Sequence, residues 1–256
     1  MTFPVSGSHE DVGGPAGYTY GALIVRIDGA GTTVPRGDVI AALSQARFSG
    51  WVGPAEGDWL VAVPLDAAGS VAGRRQGVLA SASSLAEQLS TTVFAVRVVR
   101  DRQLALAAWT GAEEHGRYLS DPSFGRPDAG SLLDDPVGVE HAATFATAAG
   151  RPSSGQELRR ILSDELDHSS VLESERLTRV LRLLALPEWL VSVDSLPRDV
   201  PAGPRASEFT RLGAGTVGVA GRLRGWGTGL VRRHRRTEAE LPEAQRRSDD
   251  FDPWLM

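Results

Sequence analysis

The chain has 256 residues and a net charge of −5; 41% are hydrophobic and 23% charged, ordinary values for a soluble globular protein able to bury a core. All 27 basic residues are arginine, and Lys, Asn and Cys are absent, the bias expected of a high-G+C bacterium. Those absences exclude lysine Schiff bases, phosphate-loop lysines, cysteine nucleophiles, thiolate metal sites and disulfides.

Residues 1–16 are rich in Gly, Ser and Pro and read as a flexible N-terminus, with acids and no apolar run where a secretory signal would need the reverse. Order is expected to begin at Tyr18, where the β-branched and aromatic run to Ile27 reads as a strand that stops at Asp28-Gly29. Pro35 then opens a helix, with Val39, Ile40 and Leu43 at helical spacing and Phe48 and Gly50 closing it. Asp58 to Val63 reads as a short buried strand.

Ser84 and Glu87 form a Ser-x-x-Glu pattern before or within a short helix near Leu85 and Leu89. The strongest hairpin follows. Phe94–Val99 and Gln103–Trp109 flank Arg100-Asp101-Arg102, a tight polar turn without the expected glycine, and Arg97 implies that one face is partly wet. After Gly111, Glu113 to Pro122 leads into a loop reaching about Pro136.

Two more capping patterns, Ser154 with Glu157 and Ser170 with Glu173, mark helices. In the second, Leu177, Val180, Leu181 and Leu184 form the apolar stripe, and Glu173, Glu175, Arg176, Arg179 and Arg182 the polar side, with Pro187 as terminator. Trp189–Val193 is expected as a last strand or a docked extension. The order of elements predicts an α+β or mixed α/β domain over residues 17–196. Its sheet is expected to be mixed, with a central antiparallel hairpin and helices covering one face.

The hairpin, Arg117-Tyr-Leu-Ser-Asp-Pro122 and the Leu181–Ser192 segment resemble parts of a group of uncharacterised bacterial proteins over about residues 90–195. The resemblance implies a single folded unit and supplies no catalytic residues.

Histidine lies beside acid at His9-Glu10, Glu114-His115, Glu140-His141 and Asp167-His168. A hydrolase or metal-dependent enzyme built on His115, His141 and His168 would need the fold to bring them together, because ligands on one helix face lie three or four residues apart. Ser120-Asp121-Pro122 lies near His115 in sequence, but Ser and Asp before proline more often bond their own backbone. Gly213-Ala-Gly215-Thr-Val-Gly218 matches a dinucleotide fingerprint without the strand and helix it requires. No catalytic residue, metal site or cofactor is therefore assigned.

Residues 197–256 read as a largely disordered Gly/Arg-rich, then acidic, tail. Residues 1–200 carry 17 Arg against 25 acids, whereas Arg205 to Arg236 contains eight Arg and only Glu208 as an acid. Leu212, Thr216, Val219, Leu223, Trp226 and Leu230 alternate steps of four and three, a seam on a helix, beside Arg222, Arg224, Arg232 and Arg233. Seven glycines oppose that helix at about 1 kcal/mol each, so a partner surface would have to induce it. Phe251, Trp254 and Leu255 then lie in an acidic context that suits a docking peptide. The expectation is a cytoplasmic, non-catalytic adaptor that binds a protein partner. A His/carboxylate hydrolase or metal-dependent enzyme is the rival function. An anionic membrane surface is the alternative partner, with nucleic acid disfavoured because the seam from Leu212 to Leu230 holds a single aromatic residue, Trp226, among abundant glycine.

Overall fold

The computed structural model describes residues 19–29, 32–65, 77–124, 135–164, 172–195, 200 and 203–217. The expected N-terminal segment, Ser170 and all of the expected tail after Val217 lie outside the described residues.

Strand β1 (Tyr20–Arg26) leads through the small pair β2 (Asp28–Gly29) and β3 (Thr32–Thr33) to helix α1 (Arg36–Gln45) and then to β4 (Gly50–Glu56) and β5 (Trp59–Pro64). Helix α2 (Val78–Leu89) precedes the meander β6 (Thr92–Val99), β7 (Gln103–Thr110) and β8 (Glu113–Leu119). Helices α3 (Ala142–Ala148), α4 (Gly155–Ser163) and α5 (Glu173–Leu184) follow, then a 3-10 segment (Glu188–Ser195), β9 (Thr210–Gly213) and β10 (Thr216–Val217). Eight strands form one sheet in the order β10-β9-β4-β5-β1-β6-β7-β8.

The α+β class read from the sequence is what the structure shows. Two finer features differ. The sheet is antiparallel at each described pairing, because β4–β5, β6–β7 and β7–β8 are joined by hairpins and β1 lies antiparallel to both β5 and β6. Helices also cover both faces. Ile24, Phe94, Leu106 and Tyr118 pack with α3, α4 and α5 on one side, while Leu23, Leu60, Ala95 and Trp109 pack with α1 and α2 on the other. The cause is visible in β1, β5 and β7, whose apolar residues run almost unbroken, as strands buried on both faces require.

The expected boundary at residue 196 falls inside the fold. Strand β9 pairs with β4 through Gly50–Leu212, Trp51–Arg211 and Val52–Thr210. Arg36 reinforces the seam by donating to the Val52 and Gly53 carbonyls and to Thr210 Oγ1. Phe209 meets Trp189 edge to face, with ring centroids 5.4 Å apart. The 3-10 segment carrying Trp189 is the docked extension, not a strand.

Local readings from the sequence need further corrections. Gly50, Gly53 and Pro54 obscured β4, whose pairing with β5 slips at a bulge between Val52 and Ala55. Glu113–Leu119, expected to lead into a loop, is one of the sheet's two outer strands among the described residues. Ser84 lies inside α2 and donates to the Ala80 carbonyl, and Ser154 makes no side-chain cap to α4, where Glu157 pairs with Arg160 instead.

Candidate functional site

The most concentrated buried polar chemistry lies where the β6–β7 turn, the end of β8 and the first turn of α5 meet. Arg100 and Asp101 both take left-handed backbone conformations, φ 51° and 56°, which satisfies the primed turn without glycine. Asp101 thereby reaches α5: its carbonyl accepts the Glu173 N–H at 3.1 Å, and its Oδ1 accepts the Ser174 N–H at 2.7 Å. The hairpin tip thus supplies the cap that the sequence pattern assigned to Ser170, occupying two of the four amides that a helix start leaves unpaired. Tyr20 and Ser174 share a hydroxyl hydrogen bond that ties the same turn to β1.

Glu173 and Arg176, expected on the solvent side of α5, are 1% and 2% exposed. The Arg176 guanidinium donates to Tyr118 Oη at 2.7 Å, to the Leu162 carbonyl at 2.8 Å and to the Asp164 carbonyl at 2.7 Å. Tyr118 donates to the same Leu162 carbonyl. Arg176 and Tyr118 therefore satisfy carbonyls at the end of α4, where a cation also complements the helix dipole. Glu173 Oε2 lies 3.3 Å from Arg176 Nε, an ion pair in which neither Glu173 oxygen attains hydrogen-bond geometry. Burial raises the Glu173 pKa from 4.5 to about 7; Arg176 and Ser120 pull it down, and Asp101 and Asp121 push it up. Burial likewise pushes the Tyr118 phenol far above its ordinary range.

Ser120 and Asp121 serve this junction structurally. Ser120 Oγ accepts the Leu104 N–H, and Asp121 Oδ1 accepts from the backbone and hydroxyl of Ser123, the local turn expected before Pro122. His115 stands five residues from Ser120 along an extended chain, roughly 16 Å away. Its Nε2 meets Thr110 Oγ1 at 2.7 Å. The His141 ring packs beside Gly116, with Nε2 3.8 Å from Glu140 Oε1. Among the described residues no group of three His, Asp or Glu is arranged to hold a metal; His9 and His168 lie outside them.

Of the residues proposed for the interacting tail, Leu212 is described, and it is a core residue of β9 at 1% exposure. Thr216, which continued its seam, belongs to β10, and Arg211 lies over the Trp51 ring. The glycine fingerprint fails here as well, since Gly213-Ala-Gly215 is the β9–β10 turn. Val219, Arg222, Leu223, Arg224, Trp226, Leu230, Arg232, Arg233, Phe251, Trp254 and Leu255 lie outside the described residues.

The sequence reading missed the junction because Asp101 and Glu173 are far apart in the chain. One signal was present: extending the α5 stripe back one helical turn from Leu177 and Val180 reaches Glu173 and Arg176. Open depressions lie elsewhere, one of about 550 Å³ along α4 between Ser153 and Ser163, another of about 390 Å³ between α1 and α2. No helix among the described residues is long and apolar enough to cross a membrane. Comparison with protein families, curated proteins and solved structures yields no match.

Proposed function

We propose that this is a non-catalytic interaction protein whose folded body presents a C-terminal recognition segment beginning after Val217. The observation that carries the reading is where the sheet ends. Strand β10 brings the chain to the surface at Val217, 52% exposed, and the next 19 residues contain six Arg and no acid. Losing Leu212 and Thr216 to the sheet shortens the apolar seam to Val219, Leu223, Trp226 and Leu230, still spaced by steps of four, three and four. Residues 237–256 reverse the charge, with six acids against two Arg, around Phe251, Trp254 and Leu255.

Such a segment fits an acidic protein groove: apolar anchors fill the groove, and arginines add orientation and association rate. The buried polar groups of the body fit the same division of labour. Asp101 and Arg176 spend their hydrogen bonds on helix ends, a supporting task.

The decisive comparison is between the full chain and one ending at Val217, both immobilised and exposed to lysate. A partner retained by the full chain and lost by the shorter one supports the assignment. Equal capture by both overturns it. Co-sedimentation of the full chain alone with vesicles containing phosphatidylserine would assign the segment to a membrane surface instead.

A further inference from the structure

We propose that Glu173 is a proton-operated clasp for α5: neutral, it lets the first helical turn seat against the hairpin tip and the end of β8; ionised, it loosens that seat. The argument begins with charge. Around Glu173 stand Arg176 on its own helix, Asp101 in the β6–β7 turn, and Tyr118, Ser120 and Asp121 at and after the end of β8. Three carboxyl groups, each no more than 5% exposed, therefore stand at this junction, and the Arg176 guanidinium is the cation paired with Glu173.

That guanidinium is already committed. Its Nη atoms point at Tyr118 and at the Leu162 and Asp164 carbonyls, which leaves Glu173 only the 3.3 Å approach to Nε. Nearby charges are engaged elsewhere: Arg160 of α4 pairs with Glu157 at the surface, and Arg179 of α5 pairs with the Asp164 carboxylate. Asp101 Oδ2 and both Glu173 oxygens are buried and lack a donor in good hydrogen-bond geometry, with Arg176 and the Ser120 hydroxyl as the groups that favour the charged form of Glu173. An ionised carboxylate in that position has its desolvation cost only partly offset by Arg176 and Ser120, whereas a neutral one removes charge from a site where Asp101 and Asp121 add negative potential. Binding a proton is the smallest change that relieves the site, and Glu173 is the group that burial moves furthest toward accepting it near neutrality.

The consequence is local and directional. The amides of Glu173 and Ser174 are held by Asp101, so repulsion between Glu173 and Asp101 acts on the contact that anchors α5 to the sheet. Lowering the pH tightens the clasp. Raising it through neutrality releases strain by opening the first turn.

Urea unfolding of the full chain and of Glu173→Gln, each at pH 5 and pH 8, tests this. The expected result is that the variant, neutral at both values, has the higher midpoint at pH 8, with the difference shrinking at pH 5. A difference independent of pH, or a wild type no weaker than the variant at pH 8, overturns the proposal. Should the variant fail to fold, the wild-type chain labelled with 13C at glutamate carboxyls gives an independent answer. One glutamate resonance titrating near neutrality supports the clasp; ordinary acidic titration of every glutamate overturns it.

Discussion

Asp101, at the tip of the β6–β7 hairpin, accepts the amide proton of Ser174 at 2.7 Å, and so caps a helix that begins more than 70 residues later in the chain. A turn residue in a left-handed conformation and a helix start without its own cap complete each other. Replacement of Asp101 by Ala should destabilise the fold by about 2–3 kcal/mol, combining the lost cap with the left-handed backbone cost. Asp101→Gly removes the cap but relaxes the backbone, so its loss should be smaller by about 1 kcal/mol. Urea denaturation of the two variants separates the contributions, and equal losses would assign the whole effect to the cap.

Arg176 links two helices and β8 through one guanidinium. Arg176→Met leaves the Asp164 carbonyl without its donor, the Leu162 carbonyl with Tyr118 alone and Glu173 without its cation. Breaking a buried pair in this way should cost about 3–5 kcal/mol in thermal or urea unfolding. The same variant should push the Glu173 pKa further up, because the arginine is what lowers it against burial.

The pH dependence of stability has a fixed sign for Glu173. Its folded-state value is raised, so the native state holds a proton that the unfolded chain has lost between pH 4.5 and about 7. The stabilisation is full below the lower value, declines as the pH rises through this window, and levels above it. A decline of up to a few kcal/mol is expected for this single group. Unfolding free energies measured from pH 5 to pH 8 check the direction; a rise across that interval in wild type, with none in Glu173→Gln, would contradict it.

The body should survive removal of residues 218–256 and should not survive a cut before β9. A chain ending at Val217 is expected to unfold within about 1 kcal/mol of the full chain, since Val217 is exposed and chain ends contribute little unless tied down. A chain ending at Asp199 loses Leu212 from the core, the β4–β9 pairing and the Phe209–Trp189 contact. Leu212→Ala alone should cost about 2–4 kcal/mol by opening a cavity. Calorimetry of these three variants checks the boundary.

Gly138 marks where the chain returns to the sheet edge after β8. Its φ of 85° and the close approach of the Arg117 carbonyl leave no room for a Cβ atom. Gly138→Ala should therefore cost at least about 2 kcal/mol, combining backbone strain with the collision. A change under 0.5 kcal/mol, on the order of a neutral surface substitution, would show that this edge can shift.

The sequence by itself determined those elements whose cause is local. The β6–β7 hairpin follows from two apolar strands and a short polar turn, α1 from the spacing of Val39 and Leu43, and α5 from Leu177, Val180, Leu181 and Leu184. Composition also determined what chemistry is absent, since a chain without Cys or Lys cannot use either. Only the tertiary structure decided that Glu173 and Arg176 lie inward, that Asp101 replaces a local cap, and that Leu212 belongs to the core. Each depends on a contact between distant parts of the chain, and helical or strand periodicity records which face a residue occupies but not what that face will meet.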